Sequence, residues 1–155
     1  MQRSRPEEWA IFYRHTQRGI VILTVCLACG LLAATIGWRA GRMSIIATWI
    51  VPVALAVVFG SLTVEVGDNE LRWYFGPGLW TYRLARDEIR NVAVVRNHWW
   101  NGFGIRAAPG FRLYNVSGLD AVELQLKSGD IRRIGTDDPR GLAAALQSTS
   151  MPPGG

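Results

Sequence analysis

The sequence predicts a membrane helical hairpin followed by a mainly-β domain, a small barrel of about seven strands capped by a C-terminal helix. Three observations lead to this fold class. Residues 19–38 and 44–63 are apolar runs without a charged side chain. Only residues 39–43 separate the two runs. From residue 61 onward, short runs of alternating apolar and polar residues are divided by turn residues, which is typical of β-strands.

Each apolar run is long enough to cross a bilayer as a helix. At about 1.5 Å per residue, about 20 residues span the roughly 30 Å hydrocarbon core. The short link makes the two helices antiparallel and puts both chain ends on one side. Arginines before the first run and after the second outnumber the two in the link, and this bias places both termini in the cytoplasm. We therefore expect a multi-pass membrane protein.

Residues 1–18 form a cytoplasmic N-terminal arm in this interpretation. Within it, residues 6–18 suit either a short helix on the membrane surface or a flexible tether, and the sequence leaves both open. The net charge of +5 is concentrated in this arm and in the link, which carry +2 each. The nearly neutral remainder lacks the concentrated basic surface that nucleic-acid binding needs. The sequence therefore argues against a nucleic-acid partner.

The β domain is predicted to span residues 61–148. Its strand-forming runs are 62–66, 71–75, 80–84, 89–96, 104–106, 110–116, 121–126 and 131–134. Asp137 and Asp138 before Pro139 provide a helix N-cap and first turn. The apolar residues Leu142 and Leu146 then recur at helical spacing. The tail, residues 149–155, should be disordered.

Three segments of this domain carry a family resemblance: Tyr114-Asn-Val-Ser-Gly118, Ala121-Val-Glu-Leu124 and Ile134-Gly-Thr-Asp-Asp-Pro139. Together with the two short-linked apolar helices, they resemble bacterial pleckstrin-homology-like (PH-like) membrane proteins, a family formerly described as a domain of unknown function. The resemblance covers about residues 20–147. It implies a PH-like barrel with a C-terminal helix, a place in the bacterial cytoplasmic (inner) membrane, and no enzymatic activity or cofactor.

The first hairpin of the β domain differs from that of eukaryotic PH domains that bind phosphoinositides. Phosphoinositide-binding PH domains place several basic residues around that hairpin, because head-group phosphates need converging cations. The corresponding turn, residues 67–70, contains the acids Asp68 and Glu70, and only Arg72 follows. Inositol-phosphate binding at this turn is therefore not expected.

The most unusual local stretch is rich in tryptophan, arginine and glycine. Two adjacent tryptophans cannot both face one side of a strand. Exposed tryptophans beside arginines suit either a lipid head-group layer or a protein partner. A third interpretation, that one tryptophan fills the barrel, stays open. The candidate partner- or lipid-contacting residues are Arg96, Trp99, Trp100, Phe103 and Arg106.

No catalytic or metal-binding set is expected. Cys26 and Cys29 have redox-motif spacing, but they lie within an apolar run without a basic neighbour to activate a thiol. His15 and His98 are far apart in the sequence and have no cluster of metal-ligating residues beside them. We therefore predict no catalytic residues, no metal and no cofactor.

The function expected from these features is that of a non-catalytic interaction module on a membrane. Its expected partners are the lipid bilayer and a membrane protein, and the sequence also allows a homo-oligomer. Two alternatives remain: an enzyme acting on a lipid or envelope substrate, and a subunit of a membrane transport assembly.

Overall fold

A computed structural model of the chain describes residues 11–37, 42–99 and 104–148. These residues form three α-helices and nine strands, and the strands are arranged in two sheets. The first sheet contains β1 (Ile11–Arg18), β2 (Ser61–Gly67), β3 (Glu70–Phe75) and β4 (Thr81–Ala85). The second contains β5 (Ile89–Arg96), β6 (Gly104–Ala108), β7 (Phe111–Asn115), β8 (Asp120–Leu126) and β9 (Ile131–Gly135). The helices are α1 (Ile20–Gly37), α2 (Arg42–Phe59) and α3 (Pro139–Ser148).

The two sheets are separate and do not close into one barrel. The first is an antiparallel meander with strand order β1-β2-β3-β4. The second has the order β5-β8-β9-β7-β6, and β7 runs parallel to β9. β4 and β5 are joined by a 3-10 turn at Arg86–Glu88 but do not pair, so each sheet keeps two edge strands. The predicted closed barrel is therefore wrong, although all eight predicted strand runs coincide with strands β2 to β9.

The predicted membrane hairpin is also wrong. Both α1 and α2 have 18 residues, and at about 1.5 Å per residue each is about 27 Å long, below the roughly 30 Å of a bilayer core. The second helix ends at Phe59, and residues 61–63, predicted to belong to a span, start β2. Within the described residues, none of the helices has the length and apolar character to cross a membrane. A multi-pass protein of the bacterial inner membrane, with two transmembrane helices, is thus contradicted.

The helical pair is inserted between two neighbouring strands of the first sheet. β1 precedes α1, β2 follows α2, and the two strands pair antiparallel from Arg18 opposite Ser61 to Ile11 opposite Gly67. At the base of the insertion, the backbone N–H of Gly19 donates to the carbonyl of Gly60 at 2.8 Å. Residues 11–18 of the predicted arm are therefore part of the β domain.

This placement of β1 differs from both interpretations of the arm. Residues 11–18 form neither a surface helix nor a tether, but a strand. The buried Gln17 side chain donates to the Ser117 carbonyl at 2.6 Å, which ties β1 to the end of β7. Residues 6–10 of the predicted surface helix and the tail, 149–155, lie outside the described residues.

The hydrophobic core lies between the two sheets, and α3 covers one side of it. β2 and β3 contribute Leu62, Val64, Val66, Leu71, Trp73 and Phe75, and β8 contributes Val122 and Leu124. From α3, Leu142 and Leu146 pack on this cluster. The helix begins as predicted, because the Asp138 side chain accepts from the Gly141 N–H at 3.0 Å.

α1 and α2 pack closely at one point, where a glycine faces a tryptophan. A Cβ added at the buried Gly30 would lie 2.6 Å from the Trp49 ring. Only glycine leaves room for the ring there, so this contact fixes how closely the two helices approach.

Candidate functional site

The residues predicted as a contact site do not form a single cluster. Arg96 ends β5 and Arg106 lies in the middle of β6, which are opposite edges of the second sheet. Four strand spacings separate these edges, or roughly 15–20 Å. Both side chains are exposed. A single small ligand could not contact both arginines.

The tryptophan part of that prediction is only partly within the described residues. Trp99 follows β5 and is 74% exposed, so it does not fill the core. Trp100 and Phe103 lie outside the described residues. The segment leading to Trp99 is anchored, because Asn97 is buried, donates its N–H to the Leu119 carbonyl and accepts from Arg133.

An extensive exposed apolar surface lies instead on the pair of helices α1 and α2. We call the exposed apolar side chains of α1 and α2 the helix platform. Residues 20–37 and 43–59 contain no charged side chain. Twelve large apolar side chains on these helices are 39–64% exposed: Ile20, Leu23, Val25, Leu27, Leu31, Leu32, Ile46, Ile50, Val51, Val53, Leu55 and Val57. Apolar exposure on this scale marks an interaction surface.

The apolar surface continues from the base of α2 onto the β3–β4 turn. Gly76 in this turn has φ of +51°, and a Cβ there would lie 2.2 Å from the Val57 carbonyl oxygen. The turn therefore abuts the last turn of α2 in a way that only glycine permits. Leu79 and Trp80, which follow it, are 65% and 53% exposed.

Both cysteines lie on α1, and both are free thiols. Cys26 is buried and Cys29 is exposed on the helix platform. One turn of helix separates them, and their neighbours are apolar.

A polar cluster joins β1 to the start of α3. The Tyr13 hydroxyl donates to Asp138 at 3.1 Å, and the His15 Nε2 pairs with Asp137. Burial, followed by the charge and hydrogen bond of Asp138, raises the pKa of Tyr13. Since Asp138 also caps α3, these contacts hold the edge strand against the helix.

Alkaline pH should weaken the protein partly through Tyr13. Its pKa is raised on folding, so its stabilising effect is complete below the unfolded value of about 10 and declines as the pH rises above it. One such group contributes a slope of at most about 1.4 kcal/mol per pH unit. We expect Tyr13→Phe to make the loss of unfolding free energy between about pH 10 and 11.5 shallower. Denaturant titrations at several pH values measure this, and parallel wild-type and variant curves would refute it.

The described residues contain no group of three or more histidine, cysteine or acidic side chains that could hold a metal ion. Two arginines of the described residues join elements of the fold. Arg86 donates to carbonyls at the end of β2 and the end of α3, and Arg133 pairs with Glu123 across β8 and β9. The side chain of Arg133 is only 22% exposed.

The sequence indicates which residues form the helix platform, but not that their side chains are exposed on the folded protein. Residues 20–37 and 43–59 are uncharged and apolar, and this composition led to the prediction of two membrane-spanning helices. No protein-family model matches this chain, and no curated protein sequence matches it. The resemblance to bacterial PH-like proteins therefore stays a prediction.

Proposed function

We propose that this chain is a non-catalytic interaction module whose helix platform packs against the helix platform of a second copy. The observation that carries the proposal is the uncharged, exposed apolar surface of α1 and α2. A surface of this kind is unfavourable in water and becomes favourable when another apolar surface covers it.

The exposed apolar surface extends over both helices. The twelve side chains that form it are 39–64% exposed. Removing apolar area from water contributes about 25 cal/mol per Å², so covering these side chains favours association. Association costs about 4–15 kcal/mol, and a standard interface buries about 800 Å² per partner, so most of the helix platform would have to be covered in the dimer.

The shape of the helical pair favours a second copy over an unrelated partner. Two antiparallel helices of 18 residues are half of a four-helix bundle, and two such hairpins complete it. A two-fold dimer brings the same patch of each copy together, so the patch must complement itself. An uncharged apolar patch meets this condition, and residues 20–37 and 43–59 provide no charge that would select a different partner.

Several polar side chains of the β domain hold elements of the fold together, which supports a non-catalytic role. Glu123 and Arg133 hold two neighbouring strands, and Asp138 caps α3. Arg86 joins the end of β2 to the end of α3. In the proposed dimer the two β domains extend from the bundle and present their loops, including Trp99, to other molecules.

The dimer can be tested by measuring the mass of the protein in solution. We expect the wild type to have the mass of two chains by light scattering after size exclusion. Leu27→Gln/Leu31→Gln changes two exposed positions one helical turn apart on α1. Each buried leucine contributes about 1.5–3 kcal/mol, so this variant should dissociate at least about a hundredfold more readily.

Val94→Gln/Ile105→Gln is the matched control, because both residues are exposed apolar residues of the β domain. It should keep the two-chain mass. The proposal fails if the wild type is a single chain at about 100 µM, a concentration well above the Kd of a stable dimer. It also fails if the wild type stays a single chain and binds phosphatidylcholine vesicles through the helices instead.

A further inference from the structure

Two arginines lie side by side at one end of the second sheet. β7 and β9 are parallel, and Arg112 is the register partner of Arg132. Side chains in register on neighbouring strands point to the same face, and their Cα atoms are about 5 Å apart. Like charges in this arrangement repel each other. The fold therefore places two arginine side chains next to each other on one face of the sheet.

Protein carboxylates do not offset this repulsion in the described part of the chain. Neither Arg112 nor Arg132 takes part in its ion pairs. The next arginine on β9 behaves differently: Arg133 binds Glu123 at 2.8 Å and donates to Asn97 at 3.2 Å. The contrast between adjacent positions of one strand singles out the Arg112–Arg132 pair.

The pair opens onto a cavity of about 400 Å³. The cavity lies between the β6–β7 turn and the β8–β9 turn. Phe111 also lines it, and the guanidinium carbon of Arg133 lies 3.9 Å from the centroid of the Phe111 ring. This volume is within the range of small-molecule sites. Asp130 also lines the cavity, but it forms no ion pair with either arginine.

One of the two arginines is held in position by the core. The guanidinium carbon of Arg132 lies 6.0 Å from the ring centroid of Trp73, which is fully buried. This cation–π contact restricts the side chain before any ligand arrives, which reduces the entropy lost on binding. Arg112 is exposed and can adjust to the ligand.

We propose that this cavity binds the phosphate group of a small phosphate monoester, with Arg112 and Arg132 as its two cationic contacts. A monoester carries about −1.5 to −2 charges at neutral pH, which matches two guanidinium groups better than a single carboxylate does. Arginine forks also match phosphate oxygens in a bidentate manner. The site is separate from the β2–β3 turn and does not depend on the helix platform.

Calorimetric titration with phenyl phosphate, inorganic phosphate and acetate at constant ionic strength tests this site. Phenyl phosphate should bind with a Kd of about 1 mM or below, and acetate at least about tenfold more weakly. Arg112→Gln and Arg132→Gln should each weaken phenyl phosphate about tenfold or more. Arg140→Gln, which removes an exposed arginine of α3, should leave it unchanged.

Thermal unfolding gives a second measurement on the same variants. Without ligand, Arg112→Gln should raise the Tm, because it removes the repulsion. At the same concentration, phenyl phosphate should raise the Tm of the wild type more than that of this variant. Arg112→Lys keeps the charge but lacks the fork, so it should bind more weakly than the wild type.

Three results would overturn the proposal. One is the absence of phenyl phosphate binding to the folded wild type. The second is equal weakening by Arg140→Gln, which would indicate a general charge effect. The third is acetate binding as tightly as phenyl phosphate. If inorganic phosphate and phenyl phosphate bind equally, the phosphate group alone accounts for binding, as the proposal requires.

Discussion

Trp73→Ala should lower the free energy of unfolding by about 3–5 kcal/mol. Trp73 is fully buried at the centre of the core. Its ring stacks on Tyr82 at 5.7 Å and meets Tyr114 edge-on at 5.2 Å between ring centroids. Removing it leaves a cavity that these two rings cannot fill together. Since domains are stable by about 5–15 kcal/mol, the variant should be close to unfolding at 37 °C.

Two further variants separate ring packing from other effects. Trp73→Phe keeps an aromatic ring and removes an indole N–H that is buried without an acceptor among the described residues. It should therefore cost only about 1–2 kcal/mol. Trp80→Ala is the matched control at a half-exposed position and should cost less than about 1 kcal/mol. Denaturant unfolding measures all three, and similar losses for Trp73→Ala and Trp80→Ala would contradict this account of the core.

Arg86→Ala should lower the free energy of unfolding by about 2–4 kcal/mol. The Arg86 guanidinium donates to the Gly67 carbonyl at 3.0 Å and to the Leu146 carbonyl at 2.7 Å. It thus connects the end of β2 with the last turn of α3, whose carbonyls favour a nearby cation. Burial lowers the pKa of Arg86, and the charge of Asp68 opposes this effect. Without the side chain, both carbonyls lose a charged donor.

Two further variants and a hydrogen-exchange measurement distinguish the loss of the Arg86 contacts from a general loss of positive charge. Arg86→Lys keeps the cation but cannot reach two elements with one planar group, so it should recover less than half of the loss. Arg83→Ala removes an exposed arginine from β4 and should change stability by less than about 0.5 kcal/mol. Hydrogen exchange should show faster opening of α3 in Arg86→Ala than in the wild type. If α3 exchange is unchanged, Arg86 does not hold the helix.

The sequence predicted the strands of the β domain well because local patterns determine them. Leu62, Val64 and Val66 alternate with polar residues and all point to the core. The turns at 67–70 and 127–130 are marked by glycine and acidic residues. The same is true of α3, where Asp138 is the N-cap and Leu142 and Leu146 face the core.

Sheet pairing could not be predicted in this way. The strand Ile11–Arg18 pairs with a segment that follows two helices, and nothing in its own residues names that partner. The parallel pairing of β7 with β9 and the order β5-β8-β9-β7-β6 likewise depend on distant contacts. For this reason the sequence placed Arg96 and Arg106 in one site, whereas the fold puts them on opposite edges.

The length of the apolar runs was misleading for a related reason. Hydropathy does not distinguish a helix residue from the first residues of a buried strand. Leu62 is apolar and continues the second run, but it belongs to β2. The run therefore appears longer than the helix that it contains.

The position of the helical pair within the first sheet has a consequence for the order of folding. Until α1 and α2 form, β1 and β2 are the ends of a long flexible loop, and closing such a loop costs conformational entropy. Once the helices pack at Gly30 and Trp49, the distance between the two strands is bridged by a rigid structure that ends at the Gly19–Gly60 hydrogen bond. We therefore expect the pairing of β1 with β2 to become an almost local event once the two helices have packed.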